Sequence, residues 1–216
     1  MPEIQNTLIR IADAARLSRQ GVSRAVYAAI YEAGAPWCIG RHQPVVAEWE
    51  ASGAFAGAVC DIGCGPGDNA FFLAGRGHAV TGIDYVEQVV LAARRDPRQA
   101  QSPVRFLQAD ILDAGLTLGP FDTILDSGTF HGFSDAERQR YAARLAALLR
   151  PGGRLLLLAF AAAESRPGGP RRVSEGELRQ TFPAPDWGIE RIREAAIEAR
   201  IFDGRAAALA AEILRR

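Results

Sequence analysis

The stretch Asp61-Ile62-Gly63-Cys64-Gly65-Pro66-Gly67 constrains the fold of this chain more than any other. Glycines at alternate positions with a proline among them suit neither a helix interior nor the middle of a strand. Just ahead, Ala58-Val59-Cys60-Asp61-Ile62 is a short apolar run of strand type. Just behind, Asn69 to Ala74 makes a brief helical stretch stopped by Gly75 and Gly77. The loop is therefore expected to turn a buried strand into a helix.

The same unit then recurs. Ala79 to Ile83 reads as a second strand closed by Asp84, and Val86, Val89, Val90 and Ala93 mark the helix after it. Val104 to Ala109 is a third strand closed by Asp110, and Phe121 to Leu125 a fourth closed by Asp126. Ser134-Asp135-Ala136-Glu137 fits a capping box, opening a helix whose buried face is Tyr141, Leu145 and Leu148 and which Pro151-Gly152-Gly153 ends. Leu155 to Phe160 is apolar at every position, as a central strand covered on both sides requires. Strands alternating with helices in this way predict an α/β fold with a doubly wound parallel sheet. Ser174-Glu175-Gly176-Glu177 resembles another capping box, for a short helix ending near Pro183.

Upstream, Ile4, Leu8, Ile11 and Ala15 share one apolar face, continued by Val22, Val26, Ala29 and Ile30 until Gly34 and Pro36. This predicts an N-terminal helical lid over 1–44, ahead of a main domain over 45–216. The tail from Ile189 is open between a charged helix and an antiparallel pair of strands.

In parallel α/β sheets ligands sit beyond the carboxyl ends of the strands. Carboxylates are costly at such buried places, yet Asp61, Asp84, Asp110 and Asp126 all fall there. A dinucleotide site has Gly-x-Gly-x-x-Gly cradling a pyrophosphate, whereas here the glycines are spaced by one residue and Asp61 would repel a pyrophosphate. The acids favour a ligand bearing an ammonium and a sulfonium, and S-adenosylmethionine has both. Gly63, Gly65 and Gly67 let the backbone approach its methionine part. Asp84, 21 residues after Gly63, suits the ribose hydroxyls. Asp110 suits the adenine amino group, with Tyr85 and Ile111 as apolar walls beside it.

Composition narrows the field further. Its 216 residues suit one domain, and 25 basic residues balance 25 acidic ones. No basic field is available for a nucleic-acid backbone. All the basic residues are Arg, which excludes Schiff-base chemistry and a P-loop lysine. Cys38, Cys60 and Cys64 lack zinc-site spacing, so no metal is expected. The longest apolar run, Leu155 to Ala163, is too short to cross a bilayer, and no leader pattern is read at the start; a cytoplasmic location without membrane association is expected.

Val59 to Gly67, Gly82-Ile83-Asp84 and Gln108-Ala109-Asp110 resemble the three cofactor motifs of class I S-adenosylmethionine-dependent methyltransferases. Leu149-Arg150-Pro151-Gly152-Gly153 resembles the family's element before strand five. The resemblance covers roughly 35–216. It implies a Rossmann-like, mostly parallel seven-stranded sheet with helices on both faces, the tail forming antiparallel strands, and S-adenosylhomocysteine as product. Pro36-Trp37-Cys38-Ile39-Gly40-Arg41-His42-Gln43-Pro44 is similar to the Pro-Trp-Asp-x-Gly-Arg-x-x-Pro segment of the thiopurine, thiol and halide methyltransferase group and its bacterial small-molecule relatives. Asp126-Ser127-Gly128-Thr129-Phe130-His131 resembles that branch's segment after strand four. Cys38 departs from the pattern by replacing its aspartate.

Several residues keep two readings. Trp37 is a wall over the sulfonium or an anchor for the N-terminal arm. Arg41 clamps the cofactor carboxylate or a substrate anion, or is a surface residue. Asp126 binds the substrate or the methionine ammonium, or accepts hydrogen bonds from its own loop. His131 is a general base for a phenol, thiol or amine, or orients a loop. Arg166 to Arg172 reads as a flexible basic loop. The expected activity is methyl transfer to a small-molecule O, S or N nucleophile. The alternatives are a nicotinamide-dependent oxidoreductase and a non-catalytic S-adenosylmethionine-binding module. A nucleic-acid acceptor is disfavoured, because the chain lacks an Asn/Asp-Pro-Pro-aromatic segment.

Overall fold

The computed structural model describes residues 21–216. The lid face at Ile4, Leu8, Ile11 and Ala15 lies outside the described residues. Two helices, α1 (Arg24–Glu32) and α2 (Pro44–Ala51), precede the sheet. The alternating part runs β1 (Ala58–Ile62), α3 (Asp68–Gly75), β2 (Ala79–Asp84), α4 (Glu87–Arg94), β3 (Arg105–Gln108), β4 (Phe121–Ser127), α5 (Asp135–Leu148) and β5 (Leu149–Phe160). After α6 (Glu175–Thr181), the chain ends in the long strands β6 (Trp187–Glu198) and β7 (Arg205–Arg215).

The seven strands form one sheet in the order β3-β2-β1-β4-β5-β7-β6. The first five are mutually parallel. β7 runs antiparallel to both β5 and β6, so the ambiguous tail is the strand pair. The order reverses between β1 and β4, which opens a crevice at the carboxyl ends of those strands.

Core packing explains why β5 is apolar throughout. Leu156 and Leu158 join a cluster on one face with Trp49, Phe71 and Val90 from α2, α3 and α4. Leu155 and Leu157 join the other, with Tyr141 and Leu145 of α5 and Leu178 of α6. All four leucines have no exposed surface. Both expected capping boxes form, Ser134 with Glu137 opening α5 and Ser174 with Glu177 opening α6.

Pro151-Gly152-Gly153 does not sit where the helix breaker was expected. α5 stops at Leu148 and the strand begins at once, so the triplet lies inside β5. The pairing of β4 with β5 jumps there from Phe121↔Leu149 to Thr123↔Arg154. The extra residues bulge out of the ladder, which is why a loop signal survives within a strand.

Candidate active site

A cavity of about 420 Å³ opens where the strand order reverses. Of the expected cofactor residues, Gly63, Gly65, Asp84, Tyr85, Asp110 and Ile111 line it from the β1, β2 and β3 ends. Trp37 and Arg41 line it from the arm after α1, and His131 from the turn after β4. Asp61, Gly67 and Asp126 do not line it.

The glycine loop is shaped by close approaches. Gly63 has φ +64°, and a Cβ there would stand 2.0 Å from the Thr129 Oγ1. That hydroxyl donates to the Ile62 carbonyl at 2.8 Å and so ties the β1 and β4 ends together. Asp84 does two jobs. Its carboxylate accepts the Gly65 N–H at 3.0 Å and the Val86 N–H at 2.9 Å, fixing the loop while it faces the cavity. Asp110 likewise accepts the Leu112 N–H at 2.9 Å and faces the same space.

The three residues outside the lining have other work. Gly67 is the left-handed cap of α3, and a Cβ on it would strike the Phe106 ring at 2.5 Å, so helix–sheet packing demands the glycine. Asp61 is 1% exposed and its Oδ2 has no hydrogen-bond partner among the described residues. Burial, reinforced by the Asp126, Asp84 and Asp68 carboxylates, pushes the Asp61 carboxyl well above the usual range. Asp126 is fully buried and accepts the Thr129 N–H at 2.8 Å, the Phe130 N–H at 3.2 Å and the Tyr141 hydroxyl at 2.7 Å.

Burial raises the Asp126 carboxyl from 3.8 to about 6, against the pull of those donors. The folded protein thus holds this proton more tightly than the unfolded chain. Stability through this group is fully present below pH 3.8 and falls as pH rises toward 6, a difference of about 3 kcal/mol. Tyr141→Phe removes a donor that favours the carboxylate. The variant is expected to lose about 1–3 kcal/mol at pH 8 and less at pH 4. Denaturant midpoints at the two pH values check this.

An aromatic group covers the cavity beside Tyr85. The Trp37 ring stands edge-on to Tyr27 and Tyr31, with centroids 6.0 and 5.6 Å apart, and Tyr27 meets Tyr85 at 5.8 Å. Tyr27 and Tyr31 both line the cavity, yet the sequence reading passed over them. Their spacing of one helical turn on α1, beside the apolar Ile30, was the available signal.

The arm is bound to the end of β6. The Gln43 side chain brackets Glu198, donating to its carbonyl at 2.9 Å and accepting its N–H at 2.8 Å, as a neighbouring strand would. Arg200 donates to the Gly34 and Ala35 carbonyls at 3.0 and 2.7 Å. Arg41 pairs with Glu198 at 2.6 Å. Cys38, where the related segment has an aspartate, supplies no charge: burial pushes its thiol up to about 11. Gln43→Leu is expected to release the arm, raising amide exchange over 33–43 and raising KM for S-adenosylmethionine with a smaller change in kcat. Hydrogen-exchange mass spectrometry and steady-state kinetics test both parts.

His131 is 7% exposed, in a short turn after β4. Where β4 ends, β5 has a backbone donor left without a strand partner, and the His131 Nδ1 accepts that Phe160 N–H at 3.3 Å. A neutral imidazole accepting at Nδ1 carries its proton on Nε2. Burial, with Arg138 and Arg172 nearby, lowers its pKa to about 3. To act as a general base the ring would have to give up its Phe160 contact. The Arg166–Arg172 loop is also more organised than expected. The Arg172 guanidinium donates to the carbonyls of Glu164, Arg166, Gly168 and Pro170.

Comparison with known proteins agrees with this architecture. Residues 59–153 match the model of a methyltransferase domain. A 2-heptyl-1-hydroxyquinolin-4(1H)-one methyltransferase of Mycobacteroides abscessus is 34% identical over 167 residues, 76% of this chain and 73% of that protein. A probable thiol methyltransferase of Arabidopsis thaliana is 32% identical over 157 residues, 70% of this chain and 69% of that one. Among solved structures, a protein that converts a disulfide bond into a thioacetal group during echinomycin biosynthesis superposes with a TM-score of 0.80. It is 28% identical, and the match covers 89% of this chain and 92% of that one. With the strand order, the glycine loop and the acids at the β2 and β3 ends, these likenesses establish that the chain belongs to the class I S-adenosylmethionine-dependent methyltransferases.

Proposed function

We propose that this methyltransferase acts on a small, largely apolar acceptor. The observation that carries this reading is the two-ended cavity. One end is lined by acids and glycines at the strand ends; the other is walled by Phe160, Pro170, Ile197 and Ile201 beneath the bound arm. Its volume, about 420 Å³, is in the range of small-molecule pockets.

The residues at the first end fit S-adenosylmethionine. Asp84 and Asp110 face this end with no cation paired to them among the described residues, and a sulfonium and an ammonium would suit carboxylates so placed. The faces of Tyr27, Tyr31 and Trp37 suit a cation as well. Gly63 and Gly65 would admit the methionine part, Asp84 the ribose hydroxyls and Asp110 the adenine, with Tyr85 and Ile111 as walls. When bound, the cofactor supplies a methyl carbon already activated by its sulfonium. What remains for the chain is to align the acceptor and exclude water, and Trp37, the arm and Phe160 do both.

Two relatives are named for such acceptors, a hydroxyquinolone methyltransferase and a probable thiol methyltransferase. The test is label from methyl-tritiated S-adenosylmethionine incubated with the protein and a cell extract. Label is expected in the organic-soluble small-molecule fraction. Label in the protein or RNA fraction instead overturns the proposal.

A further inference from the structure

Gln43 occupies the cap position of α2, yet its side chain makes no cap hydrogen bond there. Its amide is spent on β6 instead. β6 is the last strand of the sheet, so its outer edge carries backbone groups with no neighbouring strand. Gln43 supplies both missing partners at one residue, accepting the Glu198 N–H at 2.8 Å and donating to the Glu198 carbonyl at 2.9 Å. The residues on either side, Ile197 and Ala199, are buried and line the cavity beside Ile201. The β6–β7 ladder ends at Glu198↔Arg205, and past it the Ala199 N–H reaches the Gly204 carbonyl at 3.2 Å. The wall of the acceptor end is therefore built at the end of an edge strand, and Gln43 pins it from outside.

The other end of this connection is the glycine loop. The Gln43 N–H donates to the Asn69 Oδ1 at 2.9 Å. Asn69 lies in the first turn of α3, just past Gly67, and itself lines the cavity. Its oxygen is taken by that bond, so its Nδ2 is the atom left over, with no hydrogen-bond partner among the described residues. Other contacts of the arm do not replace this link. His42 stacks on Phe72 of α3 with ring centroids 3.8 Å apart, which keeps the arm along the helix without fixing a polar register. Arg41 pairs with Glu198 but is 63% exposed, and a pair so placed contributes little. The Arg200 bonds to Gly34 and Ala35 tie the arm to the β6–β7 turn and do not reach α3.

We propose that Asn69 is a positioning residue for the methyl acceptor: it holds Gln43, Gln43 sets the Ile197–Ala199 wall, and filling the cofactor end thereby stiffens the acceptor end. This rests on the two-ended reading of the cavity above. A cofactor lying against the glycine loop and the Asn69 Nδ2 immobilises the first turn of α3. The Gln43 N–H then has a fixed acceptor, and the Glu198 rung a fixed bracket. The acceptor meets a formed wall when the cofactor is in place, so water is excluded from the methyl group only once both partners are present. Neither Asn69 nor Gln43 takes part in a covalent step.

The test is amide exchange of the intact protein with and without sinefungin, an analogue that carries no transferable methyl group. In the wild type, sinefungin is expected to slow exchange over 63–67 and, by about ten-fold, over 195–201. Asn69→Ala at saturating sinefungin is expected to keep the first effect and lose the second. Asn69→Asp, which retains an oxygen for the Gln43 N–H, is expected to restore it. Gln43→Leu cuts the same route one step later and is expected to behave as Asn69→Ala does. A side chain that merely supported the fold would change exchange with and without the ligand alike. Equal slowing over 195–201 in the wild type and in either cut variant overturns the proposal, as does its loss in Asn69→Asp. So does a wild type whose 195–201 segment ignores sinefungin, a result that needs no variant. Each of these outcomes leaves the small-molecule reading standing. Label found only in macromolecules overturns that reading without touching the exchange result, and no slowing anywhere overturns the placement of the cofactor and the proposal together.

Discussion

Replacing Asp84 by alanine is expected to weaken S-adenosylmethionine binding about 100-fold while leaving the sheet folded. The Asp84 side chain joins two functions that other residues of the site keep apart. It orients the glycine loop by accepting the Gly65 and Val86 N–H groups, and it presents a carboxylate to the cavity where ribose hydroxyls would lie. Removing it leaves two backbone donors without their acceptor and deletes the charged partner of the ligand. A hydrogen bond from a ribose hydroxyl to a charged group is worth about 1.5–3 kcal/mol, so losing its acceptor gives roughly the expected drop. Asp84→Asn separates the functions: one carbonyl oxygen can still hold the loop, but the charge is gone. Its affinity should fall between those of wild type and alanine. Calorimetric titration of all three measures this, and wild-type affinity in Asp84→Ala removes Asp84 from the site.

The order of strands, the switch point and the acids closing β2 and β3 were legible because each rests on local pattern. Apolar runs end in an acid or a glycine, and the topology rules for parallel sheets do the rest. What stayed hidden depends on contacts distant in sequence. Asp61, Asp84, Asp110 and Asp126 look alike along the chain. Only the fold shows that Asp84 and Asp110 face the cavity, that Asp61 lies buried behind it, and that Asp126 is consumed by Thr129, Phe130 and Tyr141. Gly67 sits in the same motif as Gly63 and Gly65, but its neighbour is Phe106, 39 residues on. The role of His131 turned on a backbone donor left over where β4 stops short of β5, which no spacing encodes. Tyr27 and Tyr31 were missed for a different reason: aromatic residues on a helix read as core until the surface they cover is known.

Gly63→Ala is the substitution from which the greatest loss of folded, active protein is expected. Two penalties meet at this position. The backbone holds φ at +64°, which costs a residue with a Cβ roughly 1–2 kcal/mol. The new Cβ would also fall 2.0 Å from the Thr129 Oγ1, so the hydroxyl must move. That hydroxyl is bonded to the Ile62 carbonyl, and moving it pulls the turn that carries Gly128 and His131 away from β1. Overpacking of this kind adds about 1–3 kcal/mol, for a combined loss near 2–5 kcal/mol. A double-variant cycle with Thr129→Ala divides the two parts. Removing the hydroxyl in the Gly63→Ala background should recover the steric share and leave the backbone share in place. The cycle is read in unfolding midpoints and in S-adenosylmethionine affinity. If Thr129→Ala restores nothing, then Thr129 does not set the space above the glycine, and the glycine is required by its conformation alone.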